Sequence, residues 1–99
     1  MKRITPRQLV EFVRRHEDMK LSTLHRRRRF MARTVGDGLE FIPLSEQSSQ
    51  KPRREEKQYL QGVCDEFSRS NSVHPVDYRD LTRHASYTLA LIDACLKAK

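Results

Sequence analysis

Four consecutive arginines, Arg26 to Arg29, are the residues of this sequence best suited to binding chemistry, and Arg33 follows them closely. The planar guanidinium group donates two parallel hydrogen bonds to a phosphate or to the edge of a guanine. The run lies in a predicted β-strand, where consecutive side chains point to opposite faces, so the four charges cannot all line a core. We therefore predict that this end of the strand projects as a basic ribbon, narrow enough for the major groove of DNA.

Other basic residues could extend this surface. Arg14 and Arg15 on the first predicted helix do so if that helix lies beside the ribbon. A third basic group, in residues 51–54, is followed at once by two glutamates, which partly neutralise it. The candidate nucleic-acid-binding residues are Arg14, Arg15, Arg26, Arg27, Arg28, Arg29 and Arg33.

The distribution of charge along the chain supports a polyanion as the partner. The formal net charge is +7, and residues 1–35 contain eleven Lys and Arg against three acidic residues. Residues 36–99 contain nine basic and ten acidic residues, so the excess positive charge is entirely N-terminal. Charge confined in this way is typical of a surface that meets an anion. The sequence predicts a small basic nucleic-acid-binding accessory module that contacts phosphates, with DNA favoured over RNA.

Two alternatives stay open at this point. The arginines could be a solvated edge strand, because edge strands commonly carry charge that prevents aggregation. The chain could also be a protein-interaction domain that binds an acidic partner and has no nucleic-acid role. A helix-turn-helix is disfavoured, because neither of the last two predicted helices is basic in the way of a recognition helix.

The sequence shows no pattern for catalysis or metal binding. It contains no Gly-rich phosphate loop, no nucleophile elbow and no HExxH motif. Cys64, His74, His84 and Cys95 are separated by 10, 10 and 11 residues, which matches no compact zinc site. We therefore expect no enzymatic activity, no catalytic residue, no metal and no cofactor. Both cysteines lie among apolar residues, where a reduced, buried thiol is the usual state.

The first element that positions the basic residues is a helix over residues 6–18. Thr5 is a suitable N-cap and Pro6 suits the first helical position, where no N–H is needed. Gln8 can complete a capping box with Thr5. Apolar residues then recur at helical spacing.

A β-hairpin is predicted from residues 23–35 and 39–44, which flank a Gly-Asp-Gly sequence. A two-residue turn at Asp37 and Gly38 gives this hairpin one apolar face, whereas a three-residue turn would shift the register. Pro43 has no N–H to donate, so the second strand either ends there or forms an edge. The residues on the apolar face are Phe30, Ala32, Thr34, Leu39 and Phe41.

The rest of the chain is predicted to be helical. A polar loop over residues 45–54 precedes a helix over about 53–69, a short helix begins at Pro75, and a last, mostly apolar helix covers 85–96. Thr82 is the candidate cap of the last helix. The predicted fold class is α+β: an N-terminal helix, a two-stranded antiparallel hairpin, and two longer helices with a short helix between them.

A chain of 99 residues with 36% hydrophobic residues can build only one thin core, so we predict a single domain over residues 1–99. It consists of a basic helix and hairpin (1–44), a polar loop (45–54) and a helical part (55–99). No apolar run is long enough for a membrane span or a secretory signal, so we expect no membrane partner and a cytoplasmic location. The last helix has two apolar stripes; we favour a monomer that covers both, with a homodimer through this helix as the alternative.

Overall fold

The computed structural model describes residues 2–17, 19–44 and 52–98 and has an α+β fold. Its helices are α1 (Pro6–Arg15), α2 (Lys57–Ser70) and α3 (Ala85–Lys97), with a short 3₁₀ helix (Pro75–Tyr78) before α3. The strands β1 (Met19–Ser22), β2 (Arg29–Val35), β3 (Gly38–Pro43) and β4 (Arg53–Glu55) form one antiparallel sheet in the order β1-β2-β3-β4. The predicted fold class is confirmed, but the predicted two-stranded hairpin is the centre of a four-stranded sheet.

Helix α1 begins as the sequence predicts. The Thr5 hydroxyl accepts a hydrogen bond from the N–H of Gln8 (3.2 Å), and the Gln8 side chain accepts one from the N–H of Thr5 (2.9 Å). The helix ends at Arg15, three residues earlier than predicted. The chain turns there to enter the sheet, and the N–H of Met19 donates to the carbonyl of His16 (3.0 Å).

The hairpin turn consists of Gly36 and Asp37, so the predicted turn at Asp37 and Gly38 is wrong. Val35 pairs with Gly38 in the ladder. Gly36 has a φ of +58°, a left-handed conformation that glycine adopts without steric cost, and this places the turn one residue earlier. The pairing therefore shifts by two residues, and an even shift keeps the same side chains on the same face. Four of the five predicted apolar-face residues are fully buried: Phe30, Ala32, Leu39 and Phe41.

The sheet gains two short strands that the sequence did not predict. β1 pairs with β2, and β4 pairs with β3. β4 occupies residues predicted to end the polar loop and to begin a helix at residue 53, whereas α2 begins at Lys57. Three residues are too few to show an alternating pattern, so this strand depends on pairing with β3. The rest of the predicted loop, residues 45–51, lies outside the described residues.

Gly38 allows β4 to lie close to β3. A Cβ at this position would be 2.7 Å from the carbonyl oxygen of Glu55, which is closer than such atoms pack. We expect Gly38→Ala to lower the free energy of unfolding by about 1 to 3 kcal/mol, as overpacking does. Gly62→Ala is the matched control: its Cβ would contact Leu81 at an ordinary 3.8 Å, and alanine should stabilise α2 by about 0.5 to 1 kcal/mol. Urea denaturation measures both changes, and a stable Gly38→Ala variant would contradict this account of the strand.

The apolar face of the sheet packs against all three helices, and the buried apolar residues form one cluster. Helix α3 is the most buried element, as predicted, because seven of its residues are inaccessible to solvent. Both apolar stripes of α3 are covered within a single chain, and Leu96, which is partly exposed, still contacts the cluster. The buried residues of α3 are Ala85, Thr88, Leu89, Ala90, Leu91, Ile92 and Cys95.

Candidate functional site

Three of the four consecutive arginines lie in the connection between β1 and β2, which we call the arginine loop (residues 23–28). The prediction of a strand from residue 23 is wrong here, because β2 begins only at Arg29. Arg27 has a φ of +55°, a left-handed conformation incompatible with a strand. The side chains of Arg26, Arg27, Arg28 and Arg29 are all exposed.

Thr23 holds the arginine loop in shape through three hydrogen bonds. Its N–H donates to the carbonyl of Arg28 (2.9 Å), and its hydroxyl accepts from the N–H of Arg28 (3.0 Å). Its carbonyl accepts from the N–H of Arg27 (3.1 Å). Thr23 itself is buried. No guanidinium group takes part in these three bonds, which leaves the arginine side chains available to a ligand.

Ion pairs with the described residues do not neutralise these arginines. In residues 2–17, 19–44 and 52–98, no acidic side chain lies within ion-pair distance of Arg26, Arg27, Arg28 or Arg29. Other arginines are paired, for example Arg69 with Glu66. The arginine loop thus keeps a locally uncompensated positive charge, which favours an anionic ligand.

His25 connects the arginine loop to the segment that follows α2. Its Nε2–H donates to the carbonyl of Val73 (2.9 Å), which fixes the tautomer because a carbonyl can only accept. The ring of His25 stacks on that of His74, with centroids 5.5 Å apart and planes inclined by 18°. Both histidines are exposed. Residues 73–76 therefore lie beside the arginine loop.

Glu55 anchors the segment that carries Arg83 and His84. Its carboxylate accepts hydrogen bonds from the hydroxyls of Thr82 (2.7 and 2.8 Å) and Thr88 (2.9 Å). The Thr82 hydroxyl in turn accepts from the N–H of His84 (3.1 Å). His84 is the N-cap of α3, so the prediction that Thr82 caps this helix is wrong. Because Glu55 is 1% exposed, β4 fixes the start of α3 from within the core.

These three segments border one open groove of about 540 Å³, which we call the basic groove. It lies between the arginine loop, residues 73–76 and the start of α3, and among the described residues that line it none is acidic. The arginines and histidines that line it are Arg26, Arg28, Arg83, His25, His74 and His84.

His84 is electrostatically distinct within the basic groove. Burial lowers the pKa of its imidazole below the ordinary 6.5, and the charges of Arg53 and Arg83 lower that pKa further. The ring is therefore neutral at pH 7, where one nitrogen donates and the other accepts a hydrogen bond. Arginines in this groove can supply charge to an anion while His84 supplies a neutral polar contact.

The basic groove also has apolar walls. Leu24, Val73, Val76 and Leu89 line it together with Tyr87. Val76 is 59% exposed and Val73 is 39% exposed, so both present apolar surface that a ligand could contact. A ligand of this groove would meet both positive charge and apolar surface.

The remaining candidate arginines lie elsewhere. Arg14 and Arg15 are exposed at the end of α1, close to the beginning of β1, whereas the arginine loop follows the end of β1. Four strand residues, about 13 Å, separate these two ends. Arg33 is exposed on β2, opposite Glu40 in the ladder. None of the three lines the basic groove.

The edge-strand interpretation of the arginines does not fit the sheet. β2 has β1 on one side and β3 on the other, so it presents no free edge. The arginine loop lies outside the ladder altogether. Likewise, β3 ends at Pro43 but is an interior strand, paired on both sides.

Within the part of the chain that the structure describes, no three His, Cys, Asp or Glu side chains come together as a metal site. Cys64 and Cys95 are reduced and buried in the core, and burial raises the pKa of Cys64 to about 12. A thiol with such a pKa is protonated and inert at neutral pH. No described helix has the length and apolarity needed to cross a membrane.

Glu55 should make stability depend on pH. Burial raises the pKa of its carboxyl above 4.5, and the hydrogen bonds from Thr82 and Thr88 offset this only in part. The folded state therefore binds the proton more tightly than the unfolded state, so this stabilisation is complete below pH 4.5 and is lost as the pH rises through the folded pKa. Glutamine does not titrate, so Glu55→Gln does not lose this stabilisation. As the pH rises from 4.5 to 7, we expect the melting temperature of Glu55→Gln to increase relative to that of the unmodified protein. A pH-independent difference in melting temperature would contradict this assignment.

Comparisons with protein-family models, curated proteins and solved structures found no match to this chain. The candidate site therefore depends on geometry alone. Sequence reasoning found the arginine run but missed its partners in the groove, above all Arg83 and His84. Arg83 directly follows Thr82, which is bound to Glu55. The only signal in the sequence that could have indicated these two groove residues is that Arg83 and His84 stand just before the last, apolar helix.

Proposed function

We propose that this chain is a small nucleic-acid-binding accessory module, associated with DNA, that contacts phosphates through the arginine loop and the basic groove. The observation that carries the proposal is the grouping of three arginines and three histidines along one groove with no acidic residue among its described lining. Nucleic acid is the commonest cellular polyanion that such a surface fits, and arginine suits phosphate oxygens geometrically.

Order in the arginine loop supports the same function. A flexible loop would lose conformational freedom on binding, whereas Thr23 already fixes the backbone that carries Arg27 and Arg28. Arg14, Arg15 and Arg33 lie outside the groove and are peripheral contacts in this proposal, which a longer nucleic acid would reach.

The salt dependence of affinity tests this function. Binding of labelled duplex and single-stranded DNA, measured by fluorescence anisotropy, should weaken steeply with salt, because each neutralised phosphate releases counterions and contributes about −0.9 to the logarithmic slope on duplex DNA. A slope of about −3 is expected for contacts to Arg26, Arg28 and Arg83 alone. The same measurements on RNA test the preference for DNA. Lack of binding to every nucleic acid at about 50 mM salt would overturn the proposal.

An acidic protein partner is the second candidate, and the exposed Val73 and Val76 beside the arginines are the observation that favours it. Interfaces with proteins have apolar centres and charged rims. Such a complex should survive moderate salt and should not be displaced by DNA.

A further inference from the structure

The basic groove is concave, and its shape restricts what can enter it. Its volume of about 540 Å³ is that of a pocket for a small molecule, since such pockets measure about 300 to 1,000 Å³. In a duplex the faces of the bases are stacked inside the helix, and only the base edges in the grooves and the sugar-phosphate backbone are exposed. A duplex can therefore touch the rim with its phosphates, but none of its bases can occupy the interior.

The walls match the two chemical parts of a nucleotide. Arg26, Arg28 and Arg83 present positive charge, which suits a phosphate. Leu24 and Val76 present apolar surface that a phosphate does not need but the face of a base does. The stacked and exposed rings of His25 and His74 add planar surface, and histidine is one of the side chains on which unpaired bases stack.

We propose that the basic groove binds one unpaired nucleotide of a single strand or strand end, with its phosphate on Arg26, Arg28 and Arg83 and its base against Val76 and His74. This inference rests on the proposed nucleic-acid function and adds its substrate class. It also replaces the major groove of a duplex, which the sequence analysis matched to the basic ribbon, with an unpaired nucleotide as the ligand of the groove. Phe30 and Phe41 are buried in the core and cannot stack on a base, so the planar and apolar surfaces for the base come from the groove.

Two variants separate base contact from phosphate contact. Val76→Ser and His74→Ala remove apolar or planar surface at exposed positions and leave the arginines unchanged. Each should weaken binding to a short oligothymidylate by about tenfold, the lower part of the range for loss of a stacked base. The salt slope and the affinity for a blunt duplex should not change. Tyr59→Ala, which removes another exposed ring outside the basic groove, is the matched control and should leave both affinities unchanged.

The experiment is a titration of the labelled oligothymidylate and of a blunt duplex into each folded variant, with thermal unfolding as a check of the fold. Tighter binding of the single strand, lost in Val76→Ser and His74→Ala but not in Tyr59→Ala, supports the proposal. Equal affinity for both ligands in all variants overturns it and leaves the proposed function intact. Lack of affinity for either ligand overturns the proposed function as well. A glutamate-rich peptide is also added as a competitor. If it displaces the labelled oligothymidylate at a lower concentration than unlabelled oligothymidylate does, the occupant of the groove is an acidic protein, which also overturns the proposal.

Discussion

Replacing Arg26, Arg28 and Arg83 with glutamate should weaken DNA binding by at least about a hundredfold at moderate salt. Each lost phosphate contact is expected to cost about 1 kcal/mol or more, since hydrogen bonds to charged groups are among the strongest, and 1.4 kcal/mol corresponds to tenfold. The three new carboxylates also repel the phosphates. Fluorescence anisotropy with a fixed oligonucleotide measures the loss.

The matched control replaces Arg7 and Arg69 with glutamate. Both are exposed, and both lie in ion pairs with residues of their own helix, Arg7 with Glu11 and Arg69 with Glu66. The two variants are compared by the loss of affinity per replaced arginine. If that loss is the same in the control as in the groove variant, net charge alone drives binding. Arg14→Glu with Arg15→Glu then measures how far the interface extends beyond the groove.

Leu89→Ala should lower the free energy of unfolding by about 2 to 5 kcal/mol, because the truncation leaves a cavity where the core meets the basic groove. Leu89 is buried, and the two apolar stripes of α3 are covered by the sheet and the other helices of the same chain. A core that is complete in one chain does not depend on protein concentration. The melting temperature of the unmodified protein, and the lower one of the variant, should therefore each stay constant across a hundredfold dilution.

Leu96→Ala is the control for this prediction. Leu96 is only partly buried, so its truncation should cost less than that of Leu89. A melting temperature that falls on dilution, together with a large effect of Leu96→Ala, would instead show that α3 forms a homodimer interface.

The sequence predicted the elements whose signals are local. Thr5, Pro6 and Gln8 form a capping box that involves only neighbouring residues, so α1 begins where the sequence indicates. The apolar pattern of α3 likewise identified the most buried helix, because a helix without a polar face can only be covered by the rest of the chain.

The sequence failed where distant residues decide the structure. Arg26, Arg27 and Arg28 have no local feature that distinguishes a strand from a loop, and the loop forms because Thr23 is buried and bonds back to Arg28. β4 forms because Gly38 leaves space for Glu55. The bond between Thr23 and Arg28 is local, but the burial of Thr23 and the approach of Glu55 to Gly38 depend on tertiary contacts that no short window of sequence contains.

The groove could not be predicted for the same reason. Its walls join through the hydrogen bond from His25 to Val73, which are 48 residues apart in the sequence, and through the contacts of Glu55 with Thr82 and Thr88. The sequence alone shows the charge of one wall, the arginine loop. The facing wall becomes visible only when the chain is folded.

The most direct test of the central claim is to map amide chemical shifts of the ¹⁵N-labelled protein while a short oligonucleotide is added. We predict that the largest changes occur in the arginine loop, in residues 73–76 and in residues 83–87, which together form the basic groove. Changes centred on Arg14 and Arg15 or on the open face of the sheet, with the groove unaffected, would contradict the account.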